Sequence, residues 1–285
     1  MVKTNLSIIS ATVLALALSA CGGGSGGASG SSDAAASAPA TASAPTATNT
    51  DWKYSGSAPI VTSASGAVNV VLAPDTLTST GMSGSGTSIT AANAPLASQV
   101  QQSNYGGAFT TVASSSTLGV SLTKGSTIAD INGAGGYVAI GRWTNGSDTS
   151  GGTFNANQGE HYAVGTSLVL TAGTGTLSCS ALMSTSPTSA SGSVAPGSLQ
   201  SATATLDLAT LNLNNFTATV TIGADTGASF TKASAVSSGG SIGGGVSLLA
   251  RPMGTDATKP LIAVAYGAKL TNTGDINGLV VLSCQ

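Results

Sequence analysis

Residues 201–222 read SATATLDLATLNLNNFTATVTI, and apolar and polar side chains alternate through both ends of the stretch. In the first run Ala202, Ala204, Leu206 and Leu208 fall on one face of an extended chain, with Ser201, Thr203, Thr205 and Asp207 on the other. In the second, Phe216, Ala218, Val220 and Ile222 share a face opposite Thr217, Thr219 and Thr221. A period of two with one apolar face is the pattern of antiparallel strands that are buried on one side and wet on the other. The rhythm returns at residues 136–144, 161–171, 174–181, 230–236, 244–251, 261–270 and 278–284. Turn formers punctuate the gaps, as in Asn145-Gly146 and Thr273-Gly274-Asp275. The expected fold class is all-β, with eight or nine strands in a closed barrel or a sandwich. Closure into a soluble up-and-down barrel is favoured because it removes free strand edges.

Upstream, residues 68–72, 108–113 and 117–122 alternate in shorter pieces. They form either a smaller β-rich segment over residues 51–134, ahead of a barrel domain at 135–285, or the first strands of the same sheet. Residues 91–102 are the one stretch that reads as a short helix.

Composition excludes several functions. Only 6% of residues are charged and 4% are aromatic, while 41% are hydrophobic. An ordinary soluble domain carries roughly 25% charged residues, so the polar surface must be built from Ser, Thr, Asn and Gly. Seven cations remain once residues 1–20 are set aside, against ten acids, and they are too scattered to grip a polyanion, so no nucleic-acid partner is expected. A membrane-embedded barrel needs aromatic girdles at both interfaces, and eleven aromatics do not supply them.

The first twenty residues read as an export signal. Lys3 supplies a positive start, and residues 6–18 form an uncharged run too short to cross a bilayer core of ~30 Å as a helix. The run ends in Leu18-Ser19-Ala20-Cys21, which resembles the lipobox of bacterial lipoproteins. That resemblance implies cleavage before Cys21 and a palmitate-bearing diacylglycerol on its sulfur, with ordinary secretory cleavage as the alternative. Gly22 suggests the outer membrane by analogy, facing either the periplasm or the cell surface. Residues 21–50, rich in Gly and Ser and then in Ala, Ser, Thr and Pro, have nothing to bury and read as a disordered tether reaching on the order of 30 Å.

Farther along, Gly141-Arg142-Trp143 is followed, after a polar loop, by His161-Tyr162-Ala163-Val164-Gly165-Thr166. This pair of segments, with the later rhythm of residues 197–208 and 217–222, resembles bacterial lipoproteins that carry a transferrin-binding-protein-like or factor-H-binding-protein-like β-barrel. The resemblance covers residues 135–285 and implies an eight-stranded barrel presented at the outer membrane for protein binding. It departs at residues 238–245 (SGGSIGGG), which lack the Phe of the family's glycine repeats. The barrel is therefore carried over, and transferrin, haem or complement binding is not.

Candidate chemistry is sparse. His161, the sole histidine, is expected to be a structural imidazole. Residues 239–243 match a Gly-x-Ser-x-Gly pattern, but so do residues 23–27 inside the tether, and the strand–turn–helix that such an elbow requires is missing. No metal spacing, cofactor fingerprint or catalytic set is expected, and the chain reads as a non-enzyme. Cys179 and Cys284 would meet an oxidising compartment, which argues for a disulfide over two free thiols. Trp143 and Tyr162 are expected inside the barrel, and Arg142 to pair with Glu160 across the hairpin. Phe154 stands in the polar loop of residues 145–159 as an exposed aromatic. Arg142, Trp143, Phe154, His161 and Tyr162 are the residues through which this hairpin would touch a protein partner. The functional expectation is thus a lipid-anchored binding or display module, with a structural envelope lipoprotein lacking a specific ligand as the alternative.

Overall fold

The face assignments within residues 201–222 hold in three dimensions. Ala202, Ala204 and Leu206 pack with Phe216, Ala218, Val220 and Ile222 in one buried cluster, and the facing threonines stay outside. The computed structural model describes residues 51–84, 86–92 and 98–285. The expected leader, Cys21 and the tether lie outside the described residues.

The described chain is all-β. It runs through β1 (Lys53–Gly56), β2 (Ala67–Ala73), β3 (Thr87–Ala92), β4 (Gln101–Gln102), β5 (Phe109–Ala113), β6 (Gly119–Ser121) and β7 (Thr127–Ala134). Next come β8 (Val138–Thr144), β9 (Gly146–Ser147), β10 (Thr153–Phe154), β11 (Glu160–Thr166), β12 (Thr176–Ser184) and β13 (Thr188–Ser189). Last are β14 (Ser198–Asp207), β15 (Asn212–Ile222), β16 (Asp225–Val236), β17 (Gly239–Ser241), β18 (Val246–Met253), β19 (Leu261–Leu270) and β20 (Gly274–Cys284). The helix expected over residues 91–102 is not formed. Its first two residues end β3, its last two are β4, and residues 93–97 lie outside the described residues.

Eight antiparallel strands curl into a half-barrel in the order β16-β15-β14-β12-β20-β19-β18-β17. Read around the ring this is chain order, with the first strand, β12, paired to the last, β20. The ladder is missing at one junction only, between β16 and β17. Side chains span that gap: Ser241 Oγ accepts from Val236 N at 3.0 Å, and Lys232 Nζ donates to the carbonyls of Gly243 and Val246. Below them Phe230 and Tyr266 pack at 5.2 Å between ring centroids.

The strands do not divide at residues 134/135 as expected. β8 and β11 belong with β1, β2, β3 and β7 in a separate six-stranded sheet, and the half-barrel starts at Thr176. All twenty strands nevertheless lie within one unit. The central strands of the six-stranded sheet, β2, β8 and β11, are buried on both faces. Val70, Leu72, Trp143 and Tyr162 pack against Phe109 and Val112 of the small β4-β5-β6 sheet. Val71, Ile140 and Ala163 pack against Leu249, Ala265 and Val281 on the outside of the half-barrel. Trp143 and Tyr162 therefore lie in the outer core, not in the barrel where they were expected.

Each sheet lays a tyrosine across a glycine of the neighbouring strand. Tyr162 faces Gly141, Tyr266 faces Gly278, and a Cβ on either glycine would overlap the phenol oxygen. Such cross-strand glycines mark a close approach that only a missing side chain permits. The two phenols differ in one respect: Tyr162 Oη accepts from Phe109 N at 3.1 Å, whereas the buried Tyr266 Oη has no partner among the described residues. Tyr162→Phe should therefore cost about 1–3 kcal/mol by orphaning a buried amide, while Tyr266→Phe should be neutral or stabilising. Urea midpoints of the two variants check this; equal losses would contradict it.

A buried polar junction between the two sheets

Arg142 and His161 are cross-strand neighbours on the face of the six-stranded sheet that meets the half-barrel. Both are buried there. β8 places Arg142 against Asp130 of β7, with Nε 2.8 Å from Oδ2. The expected Arg142–Glu160 pair is thus corrected, because Glu160 sits opposite Trp143 and projects to the other face. Asp130 also accepts from Ser186 N and Ser186 Oγ at 3.0 and 3.1 Å, tying the six-stranded sheet to the segment after β12. Burial alone would raise the Asp130 carboxyl, but the Arg142 charge and these hydrogen bonds outweigh it and hold it below the usual carboxylate range.

His161 is engaged at both ring nitrogens. Nε2 lies 2.9 Å from Asn277 Oδ1 and from Thr188 Oγ1, and Nδ1 lies 2.7 Å from Thr185 Oγ1. The Asn277 amide is oriented by donating through Nδ2 to the Asp75 carbonyl. Its Oδ1 can therefore only accept, Nε2 carries the proton and Nδ1 accepts from Thr185. Burial, reinforced by the Arg142 charge, pulls the imidazole down to about 3. Across the physiological range this ring is a neutral bracket joining β11 to β20. To act as a base it would have to break those bonds first.

Glu160 has a different environment. It is 2% exposed, and Oε2 has no hydrogen-bond partner among the described residues. Burial, then the charges of Asp148 and Asp75, pushes its carboxyl up to about 9. Its unfolded value is near 4.5, so the folded chain holds a proton that the unfolded chain has released. This acid therefore favours folding fully below pH 4.5, and the advantage is lost as pH rises towards 9, by about 1.4 kcal/mol per unit. Glu160→Gln should match the wild type near pH 4 and melt at higher temperature at pH 8. Parallel melting curves across that range would contradict the assignment.

Phe154, expected as an exposed aromatic, is 3% exposed and belongs to the outer core. Its loop is equally well held: Gln158 donates to Ala190 O, and Asn155 and Asn157 donate to Gly192 O. All five residues expected to touch a partner are therefore interior. The structure brings Arg142 with His161, and Trp143 with Tyr162 at 5.9 Å between ring centroids, while Phe154 stands with the second pair's cluster. Asp130, Thr185, Ser186, Thr188 and Asn277 complete the junction, and sequence reading missed them. The one local sign was an aspartate inside a strand: Asp130 sits at φ 56°, a conformation Asp tolerates better than most residues.

Cys179 and Cys284 are disulfide-bonded, with the sulfurs 2.01 Å apart, and join the first and last strands of the half-barrel at a register position where they face each other. In the region of the Gly-x-Ser-x-Gly match, Ser241 ends β17 and its Oγ accepts from Val236 N. No group of three or more His, Cys, Asp or Glu among the described residues could hold a metal ion. Comparison with protein-family models, curated proteins and solved structures finds no match to this chain.

Proposed function

We propose that this chain is an exported, lipid-anchored lipoprotein of the outer membrane or cell surface, whose β body serves as a protein-binding or display module. The cysteine census carries the reading. Cys179 and Cys284 are joined, a state that suits an oxidising compartment. That leaves Cys21 as the odd thiol, directly behind the lipobox-like Leu18-Ser19-Ala20. A partner would meet exposed apolar side chains such as Leu118 at 65% and Val169 at 81% exposure, since Arg142, Trp143, Phe154, His161 and Tyr162 face inward. That inward placement also favours a second reading, a structural envelope lipoprotein with no specific ligand.

Labelled palmitate fed to cells making the full chain tests the anchor. Label should enter the wild type, which should pellet with membranes, and should be absent from Cys21→Ser; an unlabelled wild type would remove the proposal. Cross-linking on the same cells separates the two readings. A saturable protein adduct weakened by Val169→Asp supports the binding module, and the absence of any adduct supports the structural one.

A further inference from the structure

The chain has two arginines, and they are treated differently. Arg142 is neutralised by Asp130, whereas Arg251 has no acid beside it: the ion pairs among the described residues are Lys124–Asp51 and Arg142–Asp130. Arg251 is half-buried on β18, where Nη2 donates to Ser88 O at 2.7 Å and the buried Nε has no partner among the described residues. A guanidinium has five donor hydrogens, and the bond to Ser88 O engages one of them among the described residues. The charge of this half-buried group is balanced by no acid of the fold and is open to an anion that enters beside it.

Arg251 lines a cavity of about 180 Å³ between the edge of the six-stranded sheet and the half-barrel. One wall is rigid. Asn69 donates to Pro252 O and accepts from Thr90 Oγ1 at 2.6 Å and Ser167 Oγ at 3.2 Å, so the polar groups around the arginine are fixed before anything enters. The opposite side is partly apolar, formed by Val169 and its neighbours, with the exposed Ser238 at the rim. Ser88 is itself pinned to β18, because its Oγ donates to the neighbouring Ala250 O at 2.6 Å. The guanidinium is therefore held by its backbone partner and not free to swing into solvent.

We propose that this cavity binds a small oxyanion, carboxylate or phosphate, through Arg251. A planar fork already tethered at one nitrogen matches the two oxygens of such a group at little ordering cost. Burying the anion beside an unpaired cation neutralises a charge that the fold itself leaves open. The volume suits a small molecule or the acidic end of a longer one, and the apolar wall favours a ligand with a short hydrocarbon portion.

Having only two arginines makes the test direct. The full chain labelled with ¹⁵N-arginine should show two Nε–H signals in a heteronuclear NMR spectrum, one for Arg142 and one for Arg251. Sodium acetate and sodium phosphate are titrated separately at constant ionic strength with chloride. The expected result is a saturable shift of the Arg251 signal with Arg142 unmoved; stronger binding of acetate assigns a carboxylate ligand, and stronger binding of phosphate assigns a phosphate. Arg251→Lys, which keeps the charge but not the fork, should weaken the better anion by at least ~10-fold in calorimetry. An Arg251 signal that stays still in both titrations, or two signals that drift together without saturating, overturns the proposal. The wild-type titration decides this even if the lysine variant does not fold.

Discussion

Replacing Cys179 and Cys284 together with alanine should lower the free energy of unfolding by ~4–5 kcal/mol, the largest stability effect expected of any covalent change in this chain. The two cysteines are 105 residues apart in sequence. Cross-linking them removes most of the ways in which the unfolded chain could separate strands β12 and β20. Those strands are the first and last of the half-barrel and already lie side by side in the fold, so the bridge adds few contacts to the native state and acts chiefly on the unfolded one. Both sulfurs sit in the apolar interior, where alanine leaves only a small void. Denaturant curves with and without reductant check the expectation: wild type under reductant and the double-alanine variant should unfold at the same lowered midpoint. An oxidised wild type no more stable than the variant would show that chain closure contributes nothing.

Asp130→Ala should cost about 3–5 kcal/mol, because it strands the Arg142 charge between two packed sheets. The Arg142 side chain is 6% exposed and that of Asp130 19%, so water cannot readily take the carboxylate's place. The same substitution removes both bonds to Ser186 and puts alanine at φ 56°, where it is less tolerated than Asp or Asn. Asp130→Asn, which keeps the backbone preference and one acceptor, should fall between the two. Asp130 titrates below its ordinary value of 3.8, so its contribution is present above that pH and is lost as acid protonates it. The gap between wild type and Asp130→Ala should thus narrow in acid. Adding Arg142→Met to the alanine variant should recover part of the loss, since no buried charge is then left unpaired. A single variant within ~0.5 kcal/mol of wild type would rank the pair with exposed ion pairs.

The first half of the half-barrel was legible because β12, β14, β15 and β16 keep one wet face. In β14 and β15 the contrast between Ala, Leu, Phe or Val and Thr survives, and the face assignments follow directly. Residues 261–270 were bounded as the strand runs. The six-stranded sheet was not legible, since β2, β8 and β11 are buried on both sides and AVNVVLA or EHYAVGT shows no period of two. Without alternation, nothing in those residues says which sheet they join, and the expected boundary at 134/135 fell between β7 and β8, in the middle of one sheet. The polar junction was hidden for a related reason. Ser, Thr and Asn supply this chain's surface, so Thr185, Thr188 and Asn277 look like surface residues although all are buried. Aromatic and charged residues invite a reading as contact residues when they are scarce, yet Trp143, Tyr162 and Arg142 are scarce and interior.

Mass spectrometry of the intact chain, extracted from the envelope without reductant, tests the central claim most directly. The expected product begins at Cys21, carries the mass of a diacylglycerol on that residue, and is two hydrogens lighter for the Cys179–Cys284 bond. A product that retains residues 1–20, or one whose Cys21 reacts as a free thiol, would contradict the account.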